Sequence, residues 1–402
     1  MVFLHFLRQN ARWLSAGVLL TMMSSFGQTF LISVFAGEVR AEFGLSHGAW
    51  GLIYSVGTML SAVVMVWAGV ATDHFRVRKL GTLVIFGLAL SCLAMALNLW
   101  AGTLILCVFL LRFFGQGMLS HIATVAMARW FVSTRGKALA IAGLGYSVCE
   151  ALLPLIFVSL LSWGIGWRHL WFMSAFVVLL ALPVLLSLLR EEREPKHLAQ
   201  SNDAVGMQNK HWTRAEALRH PLFWFVLPTV LGPSAFVTAL FFQQVHLADI
   251  KGWSHLQVVG LFPVYTGAAI LSMMVFGWAV DRFGTRPLFP MFQLLLTAGF
   301  AVMAFANTPT VALVAFVLLG LAAGANGTLT PAFWAEIYGT AHIGAIKALA
   351  AAGMVLGSAI GPGLTGALID LNFGLETQFL AMAVWFLFAS GLLGFGIARF
   401  SR

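Results

Sequence analysis

An arginine in the middle of an apolar run has the strongest claim to chemistry in this chain. Arg112 follows Leu104-Ile105-Leu106-Cys107-Val108-Phe109-Leu110-Leu111, and an arginine at the centre of a membrane helix costs about 2.5–3.5 kcal/mol on insertion scales. A charge kept at that cost has a partner or a task. The acidic residue deep in an apolar run is Glu150. If the two runs are neighbouring helices, a rise of 1.5 Å per residue sets Arg112 roughly 12 Å and Glu150 roughly 16 Å below the same end, close enough in depth to pair. Three roles are open. Arg112 can neutralise an anionic substrate, Glu150 can take up a proton when the pair opens, or the pair is static and structural.

Other polar residues stand singly in apolar surroundings: Gln28, His121, Gln243, Gln244, Tyr265 and Asn326. Each can contact a substrate, and each can equally make an interhelical hydrogen bond, typically worth about 0.6 kcal/mol in membranes. His121 can also relay protons near neutral pH.

A second set of charges comes as a repeat. Gly69-Val70-Ala71-Thr72-Asp73-His74-Phe75-Arg76 recurs 208 residues later around Gly277, Asp281, Arg282, Gly284 and Arg286. Both copies close an apolar run, where an aspartate can pair with arginine and face the positive N-terminal end of a neighbouring helix. Such a contact favours one conformation of a gate over another. Solvated loop charge that sets membrane orientation is the alternative. The same offset relates Arg112 to Gly320, Gly136 to Gly344, Gly145 to Gly353 and Pro154 to Pro362. One constant offset across several segments indicates duplicated halves of the same orientation.

The elements that must position these residues follow from composition. Hydrophobic residues make up 60% of the 402 and charged residues 9%, against roughly a quarter charged in soluble domains. Twelve apolar stretches reach spanning length, near 13–36, 48–71, 80–98, 103–128, 138–161, 169–189, 222–246, 256–280, 288–306, 309–332, 344–368 and 375–398. We call them spans 1 to 12. Residues 190–221 separate six from six, so the expected organisation is a bundle over 1–189, a central loop with a short amphipathic helix over 190–221, and a second bundle over 222–402. Thr213-Arg214-Ala215-Glu216 supplies a capping signature for that helix.

With both termini cytoplasmic, 19 of the 23 Lys and Arg fall on the cytoplasmic side, and three (Arg40, Arg168, Lys251) fall outside. This bias follows the positive-inside rule, so the net charge of +9 reads as membrane orientation and not as nucleic-acid binding. Cys92, Cys107 and Cys149 have no metal or disulfide spacing. HExxH, CxxC, GxSxG and phosphate-loop motifs are all missing from the sequence, which argues against an enzyme or an ATP-driven pump. No cofactor, metal or cleavable signal peptide is expected.

Together these features resemble the major facilitator superfamily over essentially the whole chain. The family's loop motif, Gly-x-x-x-Asp-x-x-x-Gly followed by two basic residues, is matched by Gly69, Asp73 and the cluster Arg76, Arg78 and Lys79, with Val77 in place of the second glycine. The copy at Gly277, Asp281, Arg282, Gly284 and Arg286 is the fuller match. Leu111-Arg112-Phe113-Phe114-Gly115-Gln116-Gly117 matches the family's fourth-helix motif. Arg129-Trp130-Phe131, Arg135-Gly136-Lys137-Ala138 and Gly143 with Gly145 look like the fifth-helix entrance of monocarboxylate and oxalate/formate-type carriers. Span 5 departs from the Gly-Pro-rich pattern of drug:proton antiporters, and span 8 lacks the arginine that monocarboxylate and oxalate/formate-type carriers often place there.

The resemblance implies an all-α integral membrane protein of 12 transmembrane helices in two six-helix bundles. It implies a secondary transporter that alternates access, with Gln28, His121, Gln243, Gln244 and Asn326 on cavity-forming helices and the loop motifs in gating. The expected cargo is a small organic anion, monocarboxylate-like, carried with a proton or by exchange, by a monomer in a cell inner membrane. Proton-coupled efflux of amphipathic drugs is the rival, and a transporter-derived sensor or scaffold is the rival from another class.

Overall fold

The computed structural model describes residues 2–131, 134–191 and 205–401. Glu192, Arg193, Glu194, Lys196 and Asp203 of the central loop lie outside the described residues. Among those described, eleven helices are long and apolar enough to cross a membrane: His47–His74, Val77–Ala96, Ala101–Trp130, Arg135–Ser162, Trp167–Leu188, Pro221–Phe242, His255–Phe283, Leu288–Phe305, Pro309–Tyr338, Ile343–Asp370 and Leu375–Phe400. A twelfth span comes from two helices, His5–Gly27 and Thr29–Phe43, bent by 43° at their junction.

Several helices run past the apolar stretches that announce them. Span 10 continues to Tyr338, six residues beyond the limit read from hydropathy, because helical hydrogen bonding persists into more polar sequence while the apolar run stops. The ends carry ordinary stop and start signals. Gly44 and Gly252, with φ of +63° and +64°, take the left-handed conformation after Phe43 and Lys251. Thr308 accepts from the Val311 amide and Pro309 occupies the first helical position of span 10.

The chain forms two compact units, one of residues 1–45 and 53–201, the other of 46–52 and 202–402. In the first, span 1 packs on span 5 and span 3 on span 6. In the second, span 7 packs on span 11 and span 9 on span 12, the same pattern six helices later. Span 2 meets span 4 through Gly57 and Gly117, and span 8 meets span 10 through Gly320 and Gly324. Small residues at these contacts let backbones approach where lipid offers no hydrophobic drive to association.

Residues 205–221 of the central segment belong to the second unit. Its helix, Arg214–Arg219, begins with the full capping box of Thr213 and Glu216. Trp212 is buried, its amide donates to the Tyr338 carbonyl at 3.1 Å, and its ring stands edge-on to Tyr338. The segment is thereby docked beneath the end of span 10.

Candidate functional site

Spans 1 and 4 are both irregular where they meet. Span 1 tightens into a 3-10 turn at Ser25–Gly27 and extends at Gln28, with φ −88° and ψ 155°. Span 4 widens into a π-helix over Arg112–Leu119, a form that concentrates at functional sites. The two breaks touch by backbone. A Cβ on Gly27 would lie 2.0 Å from the Leu111 carbonyl oxygen, and one on Gly115 would lie 2.7 Å from the Gly27 Cα. Non-helical backbone at membrane depth is tolerated where other protein groups satisfy it. The Gly27 carbonyl accepts from Arg112 Nη1 at 3.3 Å.

Arg112 is only 1% exposed. Its Nη1 also donates to Thr29 Oγ1 at 3.3 Å, and its guanidinium carbon sits 5.3 Å from the centre of the Tyr54 ring. Thr29 and Tyr54 share a hydrogen bond of their own. Neither hydrogen bond of Arg112 goes to a carboxylate. Nε is buried without a partner among the described residues, and with Nη2 it forms the edge that can grip a planar oxyanion in bidentate fashion. Glu150, half-buried on span 5, accepts from the Tyr146 hydroxyl at 2.9 Å, and the Tyr146 ring rests edge-on against Phe30. The structure therefore gathers Arg112, Gln28, Tyr54, Tyr146 and Glu150 around the break in span 1. Neither tyrosine is a site candidate by sequence alone, since nothing in its spacing ties it to Arg112 or Glu150 before the helices are packed.

His121 stands apart from this group. Nine residues beyond Arg112 on span 4, its Nε2 lies 3.4 Å from Thr72 Oγ1, beside the Asp73 loop. The second unit has no equivalent cation at the Arg112 position. Gly320 lies there, and a Cβ would meet the Tyr265 carbonyl oxygen at 2.3 Å, so no side chain fits. Tyr265 and Asn326 line a small cavity of 190 Å³ with Pro233, Ser234 and Val237. Gln243 is buried and donates to Thr365 Oγ1 at 3.3 Å, while Gln244 meets His255 Nε2 at 3.3 Å.

The two repeated loops are locked by opposite arrangements. In the first unit Asp73 pairs with Arg129 from the end of span 4, and Arg129 Nη1 also donates to the Thr72 carbonyl at 2.6 Å. In the second, the base is on the loop and the acid at the helix end. Glu336 lies 3.3 Å from Arg286 Nε and accepts from the Thr285 amide at 2.8 Å and hydroxyl at 2.6 Å. Asp281 is exposed, and Arg282 lies over the rings of Trp278 and Phe283. Gly69 lies near His121, while Gly277 has open space around it. Arg76 faces a separate cavity. Arg129 and Glu336 escaped the sequence reading as partners, although each ends its long span within one residue of the same repeat position. All three cysteines are buried free thiols, and no metal-binding group of three His, Cys, Asp or Glu occurs among the described residues.

Comparison with known proteins agrees with this architecture. The profile of the Major Facilitator Superfamily matches residues 17–278 and 246–400. The chain is 25% identical to the oxalate:formate antiporter of Oxalobacter formigenes, over 97% of this chain and 93% of that one. It is 26% identical to the probable nitrate/nitrite antiporter NarK1 of Thermus thermophilus, over 69% of this chain and 62% of that one. Among solved structures, a bacterial homologue of the human lysosomal transporter Spinster matches with a TM-score of 0.75 at 16% identity, covering 96% of each chain. The chain belongs to the Major Facilitator Superfamily. It is a multi-pass membrane transporter of small molecules, with relatives among the oxalate/formate-type carriers.

Proposed function

We propose that the chain is a secondary transporter of small planar organic anions, monocarboxylate-like, working by alternating access. The observation that carries this reading is the unpartnered Nε of a buried arginine whose hydrogen bonds all go to neutral groups. A buried guanidinium without a counter-ion bears a desolvation penalty of several kcal/mol, which a bound carboxylate would offset. The tyrosine ring offsets part of it, at about 2 kcal/mol for a desolvated cation–π contact. The cargoes after which the two relatives are named, oxalate with formate and nitrate with nitrite, are planar oxyanions, and both proteins are named antiporters. Exchange is accordingly the mode we favour, with Glu150 and Tyr146 as the proton-linked alternative. Gln28 belongs to the same group, while Gln243, Asn326 and Tyr265 are polar candidates within the second unit.

Asp73 with Arg129, and Glu336 with Thr285 and Arg286, serve as gate latches at the loop ends, and Gly69, Arg76, Gly277, Asp281 and Arg282 belong to the same loops without closing a latch themselves. The Lys and Arg bias orients both termini towards the cytoplasm of a cell inner membrane.

The test is purified protein in liposomes preloaded with one carboxylate, challenged outside with labelled formate, oxalate, acetate, lactate and nitrate while internal pH is followed. Saturable exchange of at least one anion, lost in Arg112→Ala, is expected. Exchange without a pH change assigns antiport, and acidification lost in Glu150→Gln assigns proton coupling. No anion-dependent flux from folded protein would sink the reading.

A further inference from the structure

Away from Arg112 and from the two latch contacts, the first unit carries a cationic cavity. It encloses about 430 Å³ where span 3 begins and span 6 ends, and Arg76, Arg78, Lys79 and Arg190 line it with Leu186 and Leu189. Among the described residues, no acidic side chain lines it. Two acids close to it in sequence pair with other bases, Asp73 with Arg129 and Glu191 with Arg12 at 3.9 Å. The helix Val77–Ala96 also starts here, so its unsatisfied amides and positive dipole end add to the field of the side chains.

The fold does not require this cluster. At the repeat offset of 208, the positions of Arg76, Lys79 and Arg190 are Gly284, Pro287 and Ala398. The remaining cation, Arg286, is neutralised by Glu336. The second unit builds the same helix pairing without the charges, which points to a ligand in the first.

Both helices that meet at the cavity present apolar stripes to the surroundings. Leu83, Phe86 and Leu90 are exposed at helical spacing on span 3, as are Met173, Val177, Leu180 and Val184 on span 6. A cationic recess at the end of lipid-facing apolar stripes is complementary to an amphiphile with a negative head and aliphatic tails.

We propose that this cavity binds the phosphate headgroup of an anionic phospholipid, with the acyl chains against the outer faces of spans 3 and 6. Free phosphate shares the headgroup chemistry but gains nothing from those faces. The inference is independent of the cargo at Arg112, and its test involves no transport.

The experiment is native mass spectrometry of the detergent-purified chain titrated with phosphatidylglycerol, phosphatidylcholine or inorganic phosphate, for the wild type and for Lys79→Gln/Arg190→Gln. At about 1 kcal/mol per surface cation, removing two weakens phosphatidylglycerol binding about 30-fold and leaves phosphatidylcholine adducts unchanged. A second variant, Arg214→Gln/Arg219→Gln, removes equal charge from the central segment and keeps wild-type lipid binding. Equal loss in both variants overturns the site in favour of diffuse charge, as does unaltered binding in the first. Saturable binding of inorganic phosphate that displaces the lipid overturns it in favour of a free-anion site.

Discussion

Arg112→Lys separates charge from shape at the candidate site. The guanidinium uses Nη1 to hold the Gly27 carbonyl and Thr29, each at 3.3 Å, and leaves Nε without a partner. Lysine keeps the positive charge but has one nitrogen, so it cannot grip the broken backbone of span 1 and a planar anion in the same geometry. A hydrogen bond to a charged group contributes about 1.5–3 kcal/mol. Losing one such contact to the anion corresponds to roughly a 10- to 150-fold rise in apparent KM, at 1.36 kcal/mol per factor of ten. Arg112→Gln removes the charge as well and is expected to reduce exchange to the level of empty liposomes. The assay is labelled-anion exchange in proteoliposomes, with KM and maximal rate determined separately on variants that stay monodisperse. A folded Arg112→Lys protein with KM within about twofold of wild type would refute the reasoning, since the fork would then contribute nothing. A fall in Tm without a change in KM would reassign Arg112 to holding the span 1 break.

The contact of Gly27 with span 4 gives a stability test. A methyl on Gly27 needs more than 1 Å of backbone movement to clear the Leu111 oxygen, and overpacking of this kind costs about 1–3 kcal/mol. Gly27→Ala should lower Tm and slow exchange, whereas Gly143→Ala, with open space around it, should do neither. At the loops, Glu336→Gln should slow exchange several-fold with KM unchanged, while Asp281→Asn stays within about twofold of wild type. The reverse ranking would return the second latch to the loop aspartate. In the central segment, the Lys210 ammonium beside Glu216 holds that carboxyl down at about 2, below its ordinary 4.5. Its ionised form therefore stabilises the capping box above pH 4.5, and the support is lost as pH falls towards 2. The protection of amides over residues 214–219, taken relative to the intrinsic exchange rate at each pH, should fall through that acid window, and already at neutral pH in Glu216→Gln.

Much of the architecture was legible because lipid imposes a simple rule. A spanning segment must be apolar and must satisfy its own backbone, so twelve stretches and their duplication could be read directly from residue type and offset. Span 1 shows where that legibility stops. Residues 13–36 read as one continuous apolar run, and hydropathy says nothing of the turn at Ser25–Gly27 or the extended Gln28. Neither signal distinguishes an α-helix from the π turn over Arg112–Leu119. Glycine at 27 and 115 is compatible with many structures and becomes meaningful only when the two are found in backbone contact. The expected depth match of Arg112 and Glu150 placed both near one region, yet the side chains that actually hold them, Thr29, Tyr54 and Tyr146, come from three different spans.

Residue chemistry alone thus determined the solvent, the number of crossings, the duplication and the cost of Arg112, since each depends on composition or on separation along the chain. Tertiary structure decided which partner each charge keeps. Asp73 meets Arg129 over 56 residues, and the second loop meets Glu336 in place of its own aspartate. Such choices depend on how long helices pack and where they break. Those in turn depend on differences of a few tenths of an ångström in how closely backbones approach, which no local pattern in the sequence encodes.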